Sequence, residues 1–203
     1  RGGDNHAMLL DCRSLTFQDA PIPEDLSIFI VNSNGKRGVV ESEYNQRRKQ
    51  CELVAAHFGV KALRDVSIEQ LNGAQEQLDP VLFKRAKHVV TENSRTESAL
   101  VALTENDIAA LSDLMKRSHN SLRDDFQVTV KEIDGLVDMI DEVLGSQGGV
   151  RMTGGGFGGC VVALTPTKLL PQLTEVVENE YPKRFGLQPS CYICTASQGA
   201  FRV

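Results

Sequence analysis

Five glycines fall within six positions in the stretch Met152-Thr153-Gly154-Gly155-Gly156-Phe157-Gly158-Gly159-Cys160. Such a run permits positive φ and lets a ligand or another stretch of chain come close to main-chain N–H groups. Successive N–H groups can form a concave nest for an anion, so a phosphate- or ligand-facing loop is one expectation. A tight β-hairpin turn without a ligand is the other. Gly154, Gly156 and Gly159 satisfy the spacing of a dinucleotide fingerprint, but that fingerprint needs a strand before the glycines and a helix after them. Residues 160–164 are apolar and β-branched and read as a strand, so the dinucleotide reading fails. No G-x-x-x-x-G-K-[ST] occurs, which excludes a Walker-type loop.

Other residues offer chemistry with less focus. Arg123-Asp124-Asp125 follows Ser118-His119 between two helical stretches. Two neighbouring carboxylates beside an arginine either hold magnesium or a hydroxyl-rich substrate, or stand as solvated charges at a helix end. Tyr44, near the start of a helix, either covers an apolar sugar face with its ring or packs along an apolar stripe. His6, His57, His88 and His119 are scattered without a partner His or Cys at ligand spacing, so no metal site is expected. Cys191-Tyr192-Ile193-Cys194 has redox-motif spacing inside a strand-like run, where buried thiols acting as small hydrophobes are expected. No Ser/His/Asp or Cys/His nucleophile assembles.

The 203 residues suffice for a substantial core, and 41% hydrophobic with 24% charged residues is ordinary for a globular chain. A net charge of −5 argues against a nucleic-acid surface. No apolar run approaches the roughly 18 residues of a membrane-spanning helix, and no secretory signal is present. Five cysteines, an odd number, fit a reducing cytoplasm better than a disulfide framework. The chain opens on Arg1-Gly2-Gly3 rather than methionine, as expected of a piece of a longer protein, with residues 1–3 a tag remnant or a divergent loop.

The elements that must position these residues follow from periodicity. Strands are expected at residues 7–10 and 26–31, and Asn32-Ser33-Asn34-Gly35-Lys36-Arg37-Gly38 closes the second with turn chemistry. A helix over about residues 40–58 carries Val40, Tyr44, Cys51, Val54, Ala55 and Phe58 on one stripe, with Arg47, Arg48 and Lys49 largely off it. Ser67 and Gln70 form a capping box, Asp79-Pro80 opens a long helix, and Asp107 closes the segment that starts another. Thr129 and Glu132 read as a further capping box ahead of Ile133, Leu136, Val137, Ile140 and Leu144. Residues 150–153 and 160–164 read as strands flanking the glycine loop, Thr165-Pro166 opens the next helix, and residues 190–195 supply a last strand. The expected fold is α+β, an antiparallel sheet covered by helices on one face.

At this point a resemblance adds to the reading. Residues 149–160 resemble the third conserved motif of the GHMP small-molecule kinases, in the form typical of the galactokinase branch. Leu9-Leu10-Asp11-Cys12-Arg13-Ser14, the stretch from Ser42 to Cys51, and Ser118 through Phe126 resemble that branch too, in family order and across nearly the whole chain. The resemblance covers the C-terminal half of such a kinase and implies a ferredoxin-like α/β sandwich spanning residues 1–203 as a single domain. It implies that the N-terminal ATP-binding domain, with its sugar-gripping motif, phosphate loop and catalytic Asp, is absent from this chain. Galactose, ATP and Mg2+ are the implied ligands, the last two mostly held by the other half. Tyr44 matches the family's galactose-contacting tyrosine. Gly154, Gly155, Gly156, Gly158 and Gly159 match a loop that lies by the nucleotide and supports the phosphate loop. The implied activity of the intact protein is phosphorylation of galactose at its anomeric hydroxyl, with this chain alone inactive. A galactose-sensing regulatory protein and a sister sugar or amino-sugar kinase are the alternatives.

Overall fold

The computed structural model describes residues 3–35 and 40–199, with the side chains of Val40 and Glu41 outside that description. The expectations for Arg1, Gly2 and Lys36-Arg37-Gly38 lie outside the described residues.

Strands β1 (His6–Leu10) and β2 (Phe17–Pro21) pair as an antiparallel ribbon. Nothing in Phe17-Gln18-Asp19-Ala20-Pro21 alternates apolar with polar, and cross-strand pairing supplies what propensity lacks. The turn between them is organised by Asp11, whose Oδ1 accepts from the N–H groups of Arg13 (2.7 Å) and Ser14 (3.2 Å). Two bidentate ion pairs then clasp the ribbon to a 3-10 turn at Leu63–Asp65: Arg64 donates to Asp11 and Arg13 to Asp65. The Arg64 guanidinium holds the Asp11 carboxyl well below the usual carboxylate range.

The main sheet uses β3 (Leu26–Asn32), β4 (Gly149–Thr153), β5 (Cys160–Pro166) and β6 (Ser190–Cys194). Its order is β4-β5-β3-β6, and every neighbour is antiparallel. The sheet is thus separate from the β1–β2 ribbon, where the sequence led us to expect one sheet. β5 continues through Thr165 and Pro166, which do not open a helix as expected, because β3 reaches back far enough for Leu26 to pair with Pro166. Proline is tolerated there as the terminal residue of the ladder.

The helices are α1 (Val40–His57), α2 (Ile68–Gly73), α3 (Pro80–Thr104), α4 (Ile108–Ser121), α5 (Lys131–Leu144) and α6 (Leu170–Phe185). Ser67 and Gln70 make the expected reciprocal cap of α2, and the Asp79 side chain accepts from Val81 and Leu82 at the start of α3. Asp107 caps α4 through Ala110. The box expected at Thr129 and Glu132 does not form, because Val130 is the N-cap of α5 and Glu132 falls one position early.

One face of the sheet presents Phe29, Val31, Val150, Met152, Val161 and Ala163 to Ile133, Leu136, Ile140, Leu173, Val177 and Tyr181 of α5 and α6. On the other face, the end bearing Leu26, Ile28 and Leu164 packs against α3 and α4 through Ala102, Leu111 and Met115. Helices therefore cover the expected face and part of the opposite one. A further cluster, including Val54, Leu63, Leu71, Ala86 and Val90, binds α1 and α2 to α3. Tyr181, fully buried, donates its hydroxyl to the Ser33 carbonyl at 2.8 Å, while Ser33 N–H reaches Gly159 O at 2.9 Å. Those two bonds fix the exit of β3 beside the glycine loop.

Candidate functional site

The glycine stretch is the hairpin connection between β4 and β5, whose last ladder pair is Thr153 with Cys160. Gly154 and Gly155 are exposed, whereas Gly156, Gly158 and Gly159 are buried. The two halves of the loop therefore do different work. A Cβ on Gly155 would meet nothing within 4 Å, so its backbone stands open to an approaching group. A Cβ on Gly156 would lie 2.5 Å from Val128 O and 2.7 Å from Val128 Cβ, and Gly156 has φ +85°. Its side chain is missing because this chain's own backbone occupies the space. Phe157 next to it also takes positive φ (57°) and donates its N–H to Val128 O at 2.6 Å. A phenylalanine in the left-handed region costs roughly 1–3 kcal/mol, so the surroundings must impose the bend.

What imposes it lies at the end of α4. That helix runs on into a π-turn, Leu122–Phe126, which closes with Gln127 in the left-handed conformation (φ 55°, ψ 56°). The N–H groups of Gln127 and Val128 both reach the Leu122 carbonyl. Opening the turn leaves the carbonyls of residues 125–127 without helical partners, and two arginines satisfy them. Arg47 of α1 donates through Nε to Phe126 O (2.8 Å) and through Nη2 to Gln127 O (2.9 Å). Arg85 of α3 donates through Nη1 to Asp125 O and through Nη2 to the Gln127 side chain at 2.7 Å. Both arginines are buried. Burial, and then the neighbouring Arg47 cation, lower the Arg85 pKa from its ordinary value.

This overturns the expected face of α1. Arg47, expected off the apolar stripe, is only 7% exposed, and Tyr44, expected on it, is 56% exposed. Carbonyls that need donors draw the guanidinium inward, while the Tyr44 side chain three residues earlier stays open to solvent. The Arg47 guanidinium also sits 5.7 Å above the centroid of the Phe157 ring. The helix bearing Tyr44, the π-turn and the glycine loop thus meet at one side chain.

The acidic pair separates. Asp124 is taken by a bidentate pair with Arg123 at 2.8 and 3.0 Å. Asp125 accepts from Ser121 Oγ at 2.9 Å and lies 3.4 Å from Lys87 Nζ. The two carboxylates do not converge, and among the described residues no group of three or more His, Cys, Asp or Glu could hold a metal ion. Since the Ser121 proton goes to Asp125, the Ser121 oxygen accepts from His88 Nδ1–H at 3.0 Å. His88 stacks on Phe126 with ring centroids 4.5 Å apart, and burial pushes its pKa down to about 4. His119, also buried, accepts the Met152 N–H at Nδ1 (3.3 Å), tying α4 to β4, and its Nε2 lies 3.2 Å from Asp134 Oδ1 of α5 without hydrogen-bond geometry. Cys191 and Cys194 are both free thiols, as are Cys12, Cys51 and Cys160.

Periodicity alone missed Arg47, Arg85, Gln127 and Phe157. The one signal available was Phe157 itself, a bulky residue in a run otherwise made of glycine.

Residues 99–183 match the family model of the GHMP kinases C terminal. The whole chain superposes on the crystal structure of Lactococcus lactis galactokinase complexed with galactose, at TM-score 0.89 and 31% identity, covering 100% of this chain and 53% of that one. It is similar in fold to L. major mevalonate kinase in complex with R-mevalonate, at TM-score 0.58 and 17% identity over 95% of this chain and 50% of that one. It is also similar in fold to Streptococcus pneumoniae phosphomevalonate kinase in complex with phosphomevalonate and AMPPNP, at TM-score 0.51 and 13% identity over 90% and 44%. The chain spans about half the length of these structures.

Two outcomes test the site's construction. Gly156→Ala is expected to destabilise the chain by about 2–4 kcal/mol, while Gly155→Ala changes it by less than about 0.5 kcal/mol, both read from urea unfolding. His88 is neutral when folded, whereas the unfolded chain takes up a proton at this residue below pH 6.5. Its contribution is therefore fully present above pH 6.5 and lost as pH falls toward 4. Between pH 7.5 and 5 the loss is about 2 kcal/mol, and unfolding curves at the two pH values should show it in the native chain but not in His88→Gln.

Proposed function

The chain carries a GHMP kinase C-terminal domain, and from that premise we propose that it is the C-terminal half of a galactokinase. The intact enzyme transfers the γ-phosphoryl group of Mg·ATP to the anomeric hydroxyl of α-D-galactose, giving galactose 1-phosphate and ADP. The observation that carries this reading is the likeness, over the full length of this chain, to a galactokinase solved with galactose.

In this reading ATP supplies the phosphoryl group and Mg2+ offsets its charge, and the other half of the enzyme holds most of both. With Asp124 held by Arg123 and Asp125 by Ser121 and Lys87, neither a metal ligand nor the catalytic carboxylate is assigned here. What this chain contributes is placement. The exposed Tyr44 ring covers the apolar face of the sugar while its hydroxyl bonds a ring substituent. Gly154 and Gly155 let backbone crowd against the nucleotide-holding half, and the buried Gly156, Gly158 and Gly159 seat the loop. Phosphoryl transfer depends on alignment and charge stabilisation, so a site divided between two halves is inactive in either alone. Among the described residues no helix is long and apolar enough to cross a membrane, and the free thiols support a reducing cytoplasm as the working compartment.

The test is ADP release over a panel of galactose, mevalonate, homoserine and amino sugars. It uses this chain alone and this chain joined to a kinase N-terminal half. Galactose-dependent ADP should appear only in the joined protein, and Tyr44→Ala should raise its KM for galactose by about tenfold or more. Turnover by this chain alone, preference for another acceptor, or galactose binding without ADP release contradicts the proposal.

A further inference from the structure

We infer that Arg47 is a positioning residue that sets the sugar-facing turn of α1 against the glycine loop, so that its loss lowers turnover more than it lowers galactose affinity. This inference rests on the kinase reading above.

Four observations meet at this side chain. Its fork engages two consecutive carbonyls, Phe126 and Gln127, which lead directly into Val128. The Val128 carbonyl accepts the Phe157 N–H, and Val128 also fills the space left by the missing Gly156 side chain. The same guanidinium lies over the Phe157 ring. Its remaining nitrogen, Nη1, turns back along α1 to Gln46 Oε1 (3.2 Å) and Glu43 Oε2 (3.5 Å), on either side of Tyr44. One group therefore ties the helix turn that carries Tyr44 to both strands of contact that shape the loop.

Charge and burial show why the residue is an arginine. Its side chain is only 9% exposed, yet among the described residues the one carboxylate within ion-pair distance is Glu43 at 3.5 Å, itself 45% exposed. A buried cation satisfied chiefly by backbone carbonyls is a poor source of stability compared with an apolar residue of that size. What it provides is geometry. A planar guanidinium with several donors fixes two carbonyls and stacks on a ring at once, which an ammonium on a flexible stem cannot do. In phosphoryl transfer the acceptor hydroxyl and the phosphorus must be aligned, and a displacement of about 1 Å costs roughly 10²-fold in rate. A change at Arg47 keeps the Tyr44 ring and hydroxyl as sugar contacts and loosens only their alignment with the loop, so galactose affinity falls less than turnover.

The experiment compares the intact kinase with Arg47→Met, Arg47→Lys and Phe157→Leu. It measures kcat, KM for galactose, and amide hydrogen exchange at Phe157, Phe29 and Val161. Arg47→Met should lower kcat at least about tenfold, with galactose KM within about threefold. Exchange at Phe157 should rise while Phe29 and Val161 in the sheet keep their protection. Arg47→Lys, which retains the charge without the fork, should fall between the two. Phe157→Leu, which leaves every Arg47 hydrogen bond in place, should lower kcat by a smaller factor and decides the matter if Arg47→Met does not fold. An unchanged kcat overturns the inference, as does a parallel loss of kcat, galactose affinity and sheet protection, which marks a merely structural role. If the native protein turns over galactose and the variants behave so, this inference alone fails. If the native protein forms no galactose-dependent ADP, the kinase reading fails and takes this inference with it.

Discussion

Two guanidinium groups holding the carbonyls of residues 125–127 are the constraint on which the rest of the site depends. A π-turn opens the end of α4 and leaves main-chain oxygens without helical donors, and two buried arginines meet them. Buried acceptors without donors cost on the order of 1–3 kcal/mol each, so the turn persists only where donors are supplied. Arg47 arrives from α1 and Arg85 from α3, and each gives more than one hydrogen bond. With the carbonyls held, Gln127 takes its left-handed conformation, Val128 is placed, and the glycine loop can close against it.

That order of dependence explains why the glycines divide. The buried part of the loop answers to the interior, where Val128 leaves no room for a side chain at Gly156. The exposed part, Gly154 and Gly155, has open space around it and answers to whatever approaches from outside. Of these two, Gly154 takes φ +87°, which the turn itself demands, whereas Gly155 has neither a positive φ nor a close neighbour. On the opposite side, Tyr181 and Gly159 grip Ser33 and fix the exit of β3. The sheet, the helical layer and the two cores around it serve to bring α1, the π-turn and the loop to one corner of the fold.

Much of this architecture is legible in the amino acids. Local chemistry that closes within a few residues reads correctly: the Ser67–Gln70 box, the Asp79-Pro80 start and the strands on either side of the glycines. The kinship with galactokinase, read from motifs at residues 9–14, 42–51, 118–126 and 149–160, is borne out by the family match and the full-length structural likeness. What fails is set by distant partners. Arg47 looks like a solvated cation until a π-turn on another helix presents carbonyls to it. β2 has no pattern of its own and exists because β1 pairs with it. Pro166 looks like a helix start because the reach of β3 toward Leu26 cannot be counted from residues 160–166 alone. The spacing of Thr129 and Glu132 fits a capping box, but the left-handed turn at Gln127 delays the helix and moves Glu132 out of register.

The central claim is that the arginine-held turn dictates the loop, and a double-mutant cycle on stability between Arg85→Met and Gly156→Ala tests it most directly. These residues share no contact, so any coupling must pass through the turn they both touch. The account predicts that the double variant is less destabilised than the sum of the single ones by at least about 1 kcal/mol, because a released turn makes room for the new methyl group. Additivity within about 0.3 kcal/mol would show that turn and loop are held independently, and would contradict it.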